Sequence, residues 1–94
     1  MYFITTIDSK DDDARCVGYY ESFKTAEAAV FCNAFDICET CYDYCVIENI
    51  PIGMYMYDTN PRWYKYNKET GGYYRVMKEE IPKKYRNQCG FAIG

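Results

Sequence analysis

The residues best supplied for chemistry lie between positions 62 and 75. Strand alternation over 62–66 sets Arg62, Tyr64 and Tyr66 on one face and Trp63 and Lys65 on the other. Over 73–77 the same period groups Tyr73, Arg75 and Met77 against Tyr74 and Val76. Pairing the two strands places a guanidinium beside phenol rings on a single face. Such rings stack on flat π-systems, and arginine grips phosphate through parallel N–H bonds. The chemistry expected is capture of something planar and negatively charged. Trp63, Tyr64, Tyr73 and Tyr42 are the expected stacking rings, and Arg62, Arg75 and Lys65 the expected neutralising cations. Asp43 or Asp36 would accept ribose-type hydroxyls. Tyrosine is also a common core and interface residue, so packing is the competing role for these rings.

Other chemistries are poorly supplied. The chain has no histidine, so the commonest general base is missing. No nucleophile elbow, Walker loop or dinucleotide-binding glycine pattern occurs, and Gly71-Gly72 reads as a hairpin turn. Asp36, Glu39, Asp43 and Glu48 could supply a carboxylate pair, with solvated or structural roles as the plainer reading. Cys38 and Cys41 form a C-x-x-C, with Cys32 and Cys45 nearby. Zinc needs a tetrahedron of ligands, and neither a second close pair nor a histidine completes one. A redox pair is disfavoured because these thiols follow a helix, whose C-terminal dipole opposes a thiolate. The expectation is a binding protein that is not an enzyme and uses neither metal nor cofactor.

The totals narrow the partner. Eleven basic and 14 acidic residues leave a net charge of −3, which repels duplex nucleic acid. Asp8, Asp11, Asp12 and Asp13 are early, whereas Arg62, Lys65, Lys68, Arg75, Lys78, Lys83, Lys84 and Arg86 are late. A locally basic second half suits a small anionic ligand better than a long polyanion; a solvated charged surface is the alternative. The chain opens without a secretory pattern and has no apolar run approaching the ~18 residues of a membrane span. The six cysteines are therefore expected as reduced thiols in a cytoplasm, mostly buried as small hydrophobes.

These residues need elements to position them. Residues 42–57 organise the chain: a long strand over 42–50, a bend at Pro51-Ile52-Gly53, and resumed pairing over 54–57. Residues 2–7 and 15–20 read as a hairpin with an acidic turn between them, with Cys16, Gly18 and Tyr20 on one face of its second strand. Thr25 reads as the start of a helix running to about Cys38, with Phe23 stapling its approach. That helix is apolar on more than one side, so either the sheet curls around it or a second subunit covers it. Residues 62–66 and 73–77 form a second hairpin, 83–88 one helical turn, and 91–93 a closing strand. Ninety-four residues make one α+β domain, β-β-α-β-β-β-β: a single mostly antiparallel β-sheet with one main helix packed on one face.

A longer pattern runs through the chain: Asn33, Asp36-Ile37 with Glu39, Tyr42-Asp43-Tyr44, then Val46-Ile47-Glu48. Ile50, Gly53, Tyr55, Trp63-Tyr64-Lys65 and the closing Phe91-Ala92-Ile93-Gly94 continue it. It resembles a family of short uncharacterised proteins from Firmicutes and their phages or mobile elements. Cys41 and Cys45 stand where the family pattern would carry other residues. What the resemblance implies is context: small phage proteins of this kind act as inhibitors or as sponges for nucleotide immune signals. The lead expectation is thus a cytoplasmic, homo-oligomeric sponge for a cyclic-nucleotide or ADP-ribose type ligand. The rival is an interaction module that docks a host protein through an aromatic-rich face.

Overall fold

The middle strand of the sheet is YCVIEN. In the computed structural model, which describes residues 1–32, 43–50, 59–86 and 91, it is buried on both faces. Strands β1 (Tyr2–Asp8), β2 (Asp13–Tyr20), β3 (Tyr44–Asn49), β4 (Arg62–Asn67) and β5 (Gly72–Val76) pair in the order β2-β1-β3-β4-β5. Every pairing is antiparallel. The helix α1 (Phe23–Phe31) lies between β2 and β3 in the chain, and a 3-10 turn (Lys78–Glu80) and the short helix α2 (Lys83–Arg86) follow β5. The α+β class and the single antiparallel sheet match the sequence reading. The second stretch expected to pair, 54–57, and residues 92 and 93 of the closing strand lie outside the described residues, and Phe91 itself sits in a turn.

Two details depart from expectation. Ser22, in extended conformation, caps α1 by accepting from the Thr25 N–H at 3.4 Å, so the helix begins before Thr25. Its continuation from residue 33 to Cys38 lies outside the described residues. In β2 the partners of Thr5 and Ile4 are Cys16 and Gly18, which leaves Val17 as an extra residue in a β-bulge. The bulge breaks strict alternation. Val17 therefore packs on the helix side with Tyr20, and Cys16 is set off from Gly18 and exposed.

Both faces of the sheet are covered. On the helix side Ile4, Cys45, Ile47, Tyr64 and Tyr73 pack against Ala26, Ala29 and Val30 of α1. On the other side Ile7, Val46, Trp63 and Val76 pack beneath Ile81 and Tyr85, with Tyr44 and Phe91 at the margin. Glu48 lies on this second face and is fully buried. Its carboxylate accepts from the Thr59 hydroxyl at 2.5 Å and the Phe91 N–H at 2.9 Å. A buried charge is tolerated only with such partners, so Glu48 is a clamp fastening residues 59 and 91 to the central strand.

The start of β5 meets the end of α1 at one narrow point. A Cβ added at Gly72 would lie 2.5 Å from the Phe31 carbonyl oxygen, a backbone atom that cannot swing aside. Gly72→Ala should destabilise the fold by about 1–3 kcal/mol, the usual cost of overpacking. Gly18→Ala, with open space around its Cβ, should change stability by less than about 0.5 kcal/mol. Denaturant midpoints of the two variants check this; equal midpoints would show that α1 does not close on β5 here.

Candidate functional site

The rings expected to stack are core residues. Trp63, Tyr64 and Tyr73 are 3%, 0% and 7% exposed. The register brings Tyr64 opposite Arg75 and Tyr66 opposite Tyr73, so the strand face read from the sequence does form. That face, however, lies under α1, and Trp63 on the reverse face lies under Ile81 and Tyr85. These three rings consequently offer no open face to a ligand. The physical reason is coverage: a helix on one side and the segment after β5 on the other seal a sheet that a lone helix would leave half open.

The arginines sit at the rim of the helix layer. Tyr64 donates its hydroxyl to Glu27 Oε2 at 2.5 Å, and Arg75 lies 3.8 Å from the same oxygen. Burial, then the hydrogen bond to the Glu27 carboxylate, pushes the Tyr64 phenol well up and keeps it protonated. Arg62 donates to the carbonyl oxygen and Oδ1 of Asn60 at 3.3 and 2.7 Å and lies 5.8 Å from the centre of the Phe23 ring. Tyr42 and Asp36 lie outside the described residues, as do Cys38 and Cys41. Burial pushes the Cys45 thiol up, which suits an inert core residue.

Asp43 and Lys65, the remaining expected site residues, come together elsewhere. They line an open cleft of about 540 Å³ with Asp8, Lys10, Asp11, Tyr66 and Lys68. Antiparallel pairing builds it, since the end of β1, the start of β3 and the end of β4 all fall at one edge. The Tyr66 N–H donates to the Asp43 carbonyl at 2.8 Å, carrying the ladder one step beyond β3. The Ser9 hydroxyl bonds the Asp43 carboxylate, fixing the β1–β2 loop against the central strand. The Lys10 N–H caps Asp8 at 3.1 Å, and Asn67 organises the β4–β5 turn by accepting from the Glu69 N–H at 2.9 Å.

The charges of the cleft are arranged by wall. The end of β1, the β1–β2 loop and Asp43 supply three carboxylates and Lys10, and β4 with its turn supplies Lys65 and Lys68. Three ammoniums against three carboxylates balance by count. Such a cleft can direct an anionic group to one wall and hydroxyl or amino donors to the other. Lys10, Lys68, Asp8, Asp11 and Tyr66 were missed in the sequence because they sit on two separate hairpins, joined only by the strand order β1-β3-β4. Among the described residues no group of three or more cysteine or carboxylate side chains could hold a metal ion. None of the described helices is long and apolar enough to cross a membrane. Comparison with protein-family models, with curated proteins and with solved structures finds no match for this chain.

The loop that forms the acidic wall is latched from behind. Asp12, in the left-handed region at φ 55°, accepts from Lys84 Nζ and from the Tyr85 hydroxyl, the latter at 2.9 Å. Those bonds, Lys84 first, hold the Asp12 carboxyl below its usual range. Burial, then the Asp12 bond, pushes the Tyr85 phenol up to about 12. A lowered carboxylate pKa contributes stability above its unfolded value, lost as pH falls through the folded value. A raised phenol pKa contributes below the unfolded value near ~10, lost as pH rises through about 12. Asp12→Asn, which tolerates the same backbone conformation, should flatten the acid limb of stability as pH falls through and below the ordinary carboxylate range. Parallel wild-type and variant curves of denaturation midpoint against pH would show that the latch is not formed.

Proposed function

We propose that this chain is a binding protein rather than an enzyme, and that it sequesters a small nucleotide-derived ligand in the cleft between its two hairpins. The observation that carries this reading is the meeting of Asp43 and Lys65 with Tyr66, Lys10 and Lys68 around 540 Å³ of open space. That volume lies within the ~300–1,000 Å³ of ordinary small-molecule sites. Lys65 and Lys68 would neutralise phosphate, and Asp43, Asp8 and Asp11 would accept ribose hydroxyls or amino protons. The balanced charge favours a ligand with one or two phosphates and many hydroxyls, of the cyclic-nucleotide or ADP-ribose type, over a polyphosphate. A phage-type sponge acting in a cytoplasm against an immune signal is the setting that the family resemblance supplies. Homo-oligomer formation belongs to the same proposal, with Phe31, 46% exposed on α1, as its contact residue.

The rival reading, an interaction module docking a host protein, is favoured by Tyr19, which is exposed and lies tilted against Phe3 at 5.5 Å between ring centres. It ranks second because the exposed apolar residues are dispersed. Tyr19 lies on edge strand β2, and Tyr74 and Met77 lie on or beyond the opposite edge strand β5.

A thermal-shift screen of cyclic mononucleotides, cyclic dinucleotides and ADP-ribose tests the proposal, since a ligand bound by the native state raises its melting temperature by mass action. The hit should lose roughly tenfold in affinity with Lys65→Ala or Lys68→Ala, whose side chains are exposed and whose folds should be unchanged. Arg75→Ala should leave the affinity unchanged. A panel that never shifts the melting temperature at high ligand concentration sinks the reading.

A further inference from the structure

A second pocket lies at the opposite end of the central strands. Six-residue strands place it roughly 17–20 Å from the cleft. Tyr2 opens β1, Asn49 closes β3 and Arg62 opens β4, and with Phe23, Ile47 and Asn60 they enclose about 230 Å³. The register explains the gathering: Tyr2 pairs with Asn49 and Ile47 with Arg62, which puts four adjacent side chains on the helix side. The first residue of α1, Phe23, roofs them, edge-on to Tyr2 at 5.7 Å between ring centres.

Arg62 is the group without a structural explanation. The residue is half-buried but its guanidinium bonds lie at the surface, and only Nη1 is engaged, by the two oxygens of Asn60. No carboxylate among the described residues forms an ion pair with it, and its Nε and Nη2 donors have no partner among them. The Asn60 bonds and the Phe23 ring fix its orientation, so the free edge of the fork is preorganised. A cation oriented in this way, with two neutral oxygens as its polar partners among the described residues, is suited to pair with an anion. Asn49 adds a side-chain amide with no partner among the described residues, and Tyr2, Phe23 and Ile47 supply apolar walls.

We infer that this pocket is a binding site for a small aromatic carboxylate. The carboxylate pairs with the free edge of Arg62 and accepts from the Asn49 amide, while the ring packs against the Tyr2–Phe23 pair beside Ile47. A volume of about 230 Å³ is below the ~300 Å³ at which ordinary cofactor sites begin, which limits the ligand to a single ring. This inference is independent of the cleft and stands or falls without it.

NMR titration with sodium benzoate tests the site. Saturable shifts are expected at the side chains of Arg62, Asn49 and Phe23, with benzamide, the uncharged counterpart, binding at least tenfold more weakly. Arg62→Gln should weaken benzoate at least tenfold, and Arg62→Lys nearly as much, because the ammonium keeps the charge but not the fork. Should Arg62→Gln fail to fold, Asn49→Ala, expected to lose several-fold, takes its place. Benzoate shifts that do not saturate, or that persist unchanged in either variant, overturn the assignment. So does benzamide binding equal to benzoate, which would mean an apolar hole, or inorganic phosphate binding as tightly as benzoate, which would mean an anion site without a ring pocket.

Discussion

The hydroxyl of Tyr64 reaches out of the fully buried part of β4 and donates to Glu27 on α1, 2.5 Å away. One bond thereby joins the sheet to the helix that covers it, and the rest of the arrangement follows from that covering. A hydrogen bond to a charged acceptor contributes about 1.5–3 kcal/mol, more than a neutral pair. With Glu27 at this position, Arg75 lies 3.8 Å from the same carboxylate. Tyr64 and Tyr73 then belong to the packing beneath Ala26, Ala29 and Val30. Among the described residues Trp63, Tyr64, Tyr73 and Tyr85 thus go into the core of a small domain.

What remains for binding is found where the strands end. Strand interiors alternate between two sealed faces, so only loops and strand termini offer polar side chains together with open space. One end of the central three strands carries the mixed charges of Asp8, Asp43, Lys65 and Lys68. The other carries Arg62 and Asn49 beside Phe23. Glu48 and Asp12 serve these ends indirectly. Glu48 fastens residues 59 and 91 to the central strand, and Asp12 ties the β1–β2 loop to α2.

The sequence made much of this legible. Alternation over 62–66 and 73–77 correctly grouped Tyr64, Tyr66, Tyr73 and Arg75 on one face, because a period of two is fixed by the backbone itself. It could not say which face met solvent, since that depends on α1 and on residues 78–86 folding back over the sheet. Alternation failed outright at Val17, where a bulge inserts a residue beside Gly18, a glycine within the strand that is the local mark of such a bulge. Thr25 and Ser22 both carry a capping hydroxyl, and the extended backbone at Ser22 makes it the cap. Half of the cleft was visible as Asp43 and Lys65. The other half, Lys10 and Lys68 with Asp8 and Asp11, depends on strand order, a long-range property that local patterning does not encode.

Trp63, Tyr64 and Tyr73 belong to the core and leave recognition to the strand ends. The chain contains one tryptophan, Trp63, so its fluorescence reports on those rings without ambiguity. Collisional quenching of the native protein by iodide or acrylamide should be weak and should rise sharply on unfolding. Quenching of the native state as efficient as that of the unfolded chain would contradict this core placement, putting the indole on an open surface.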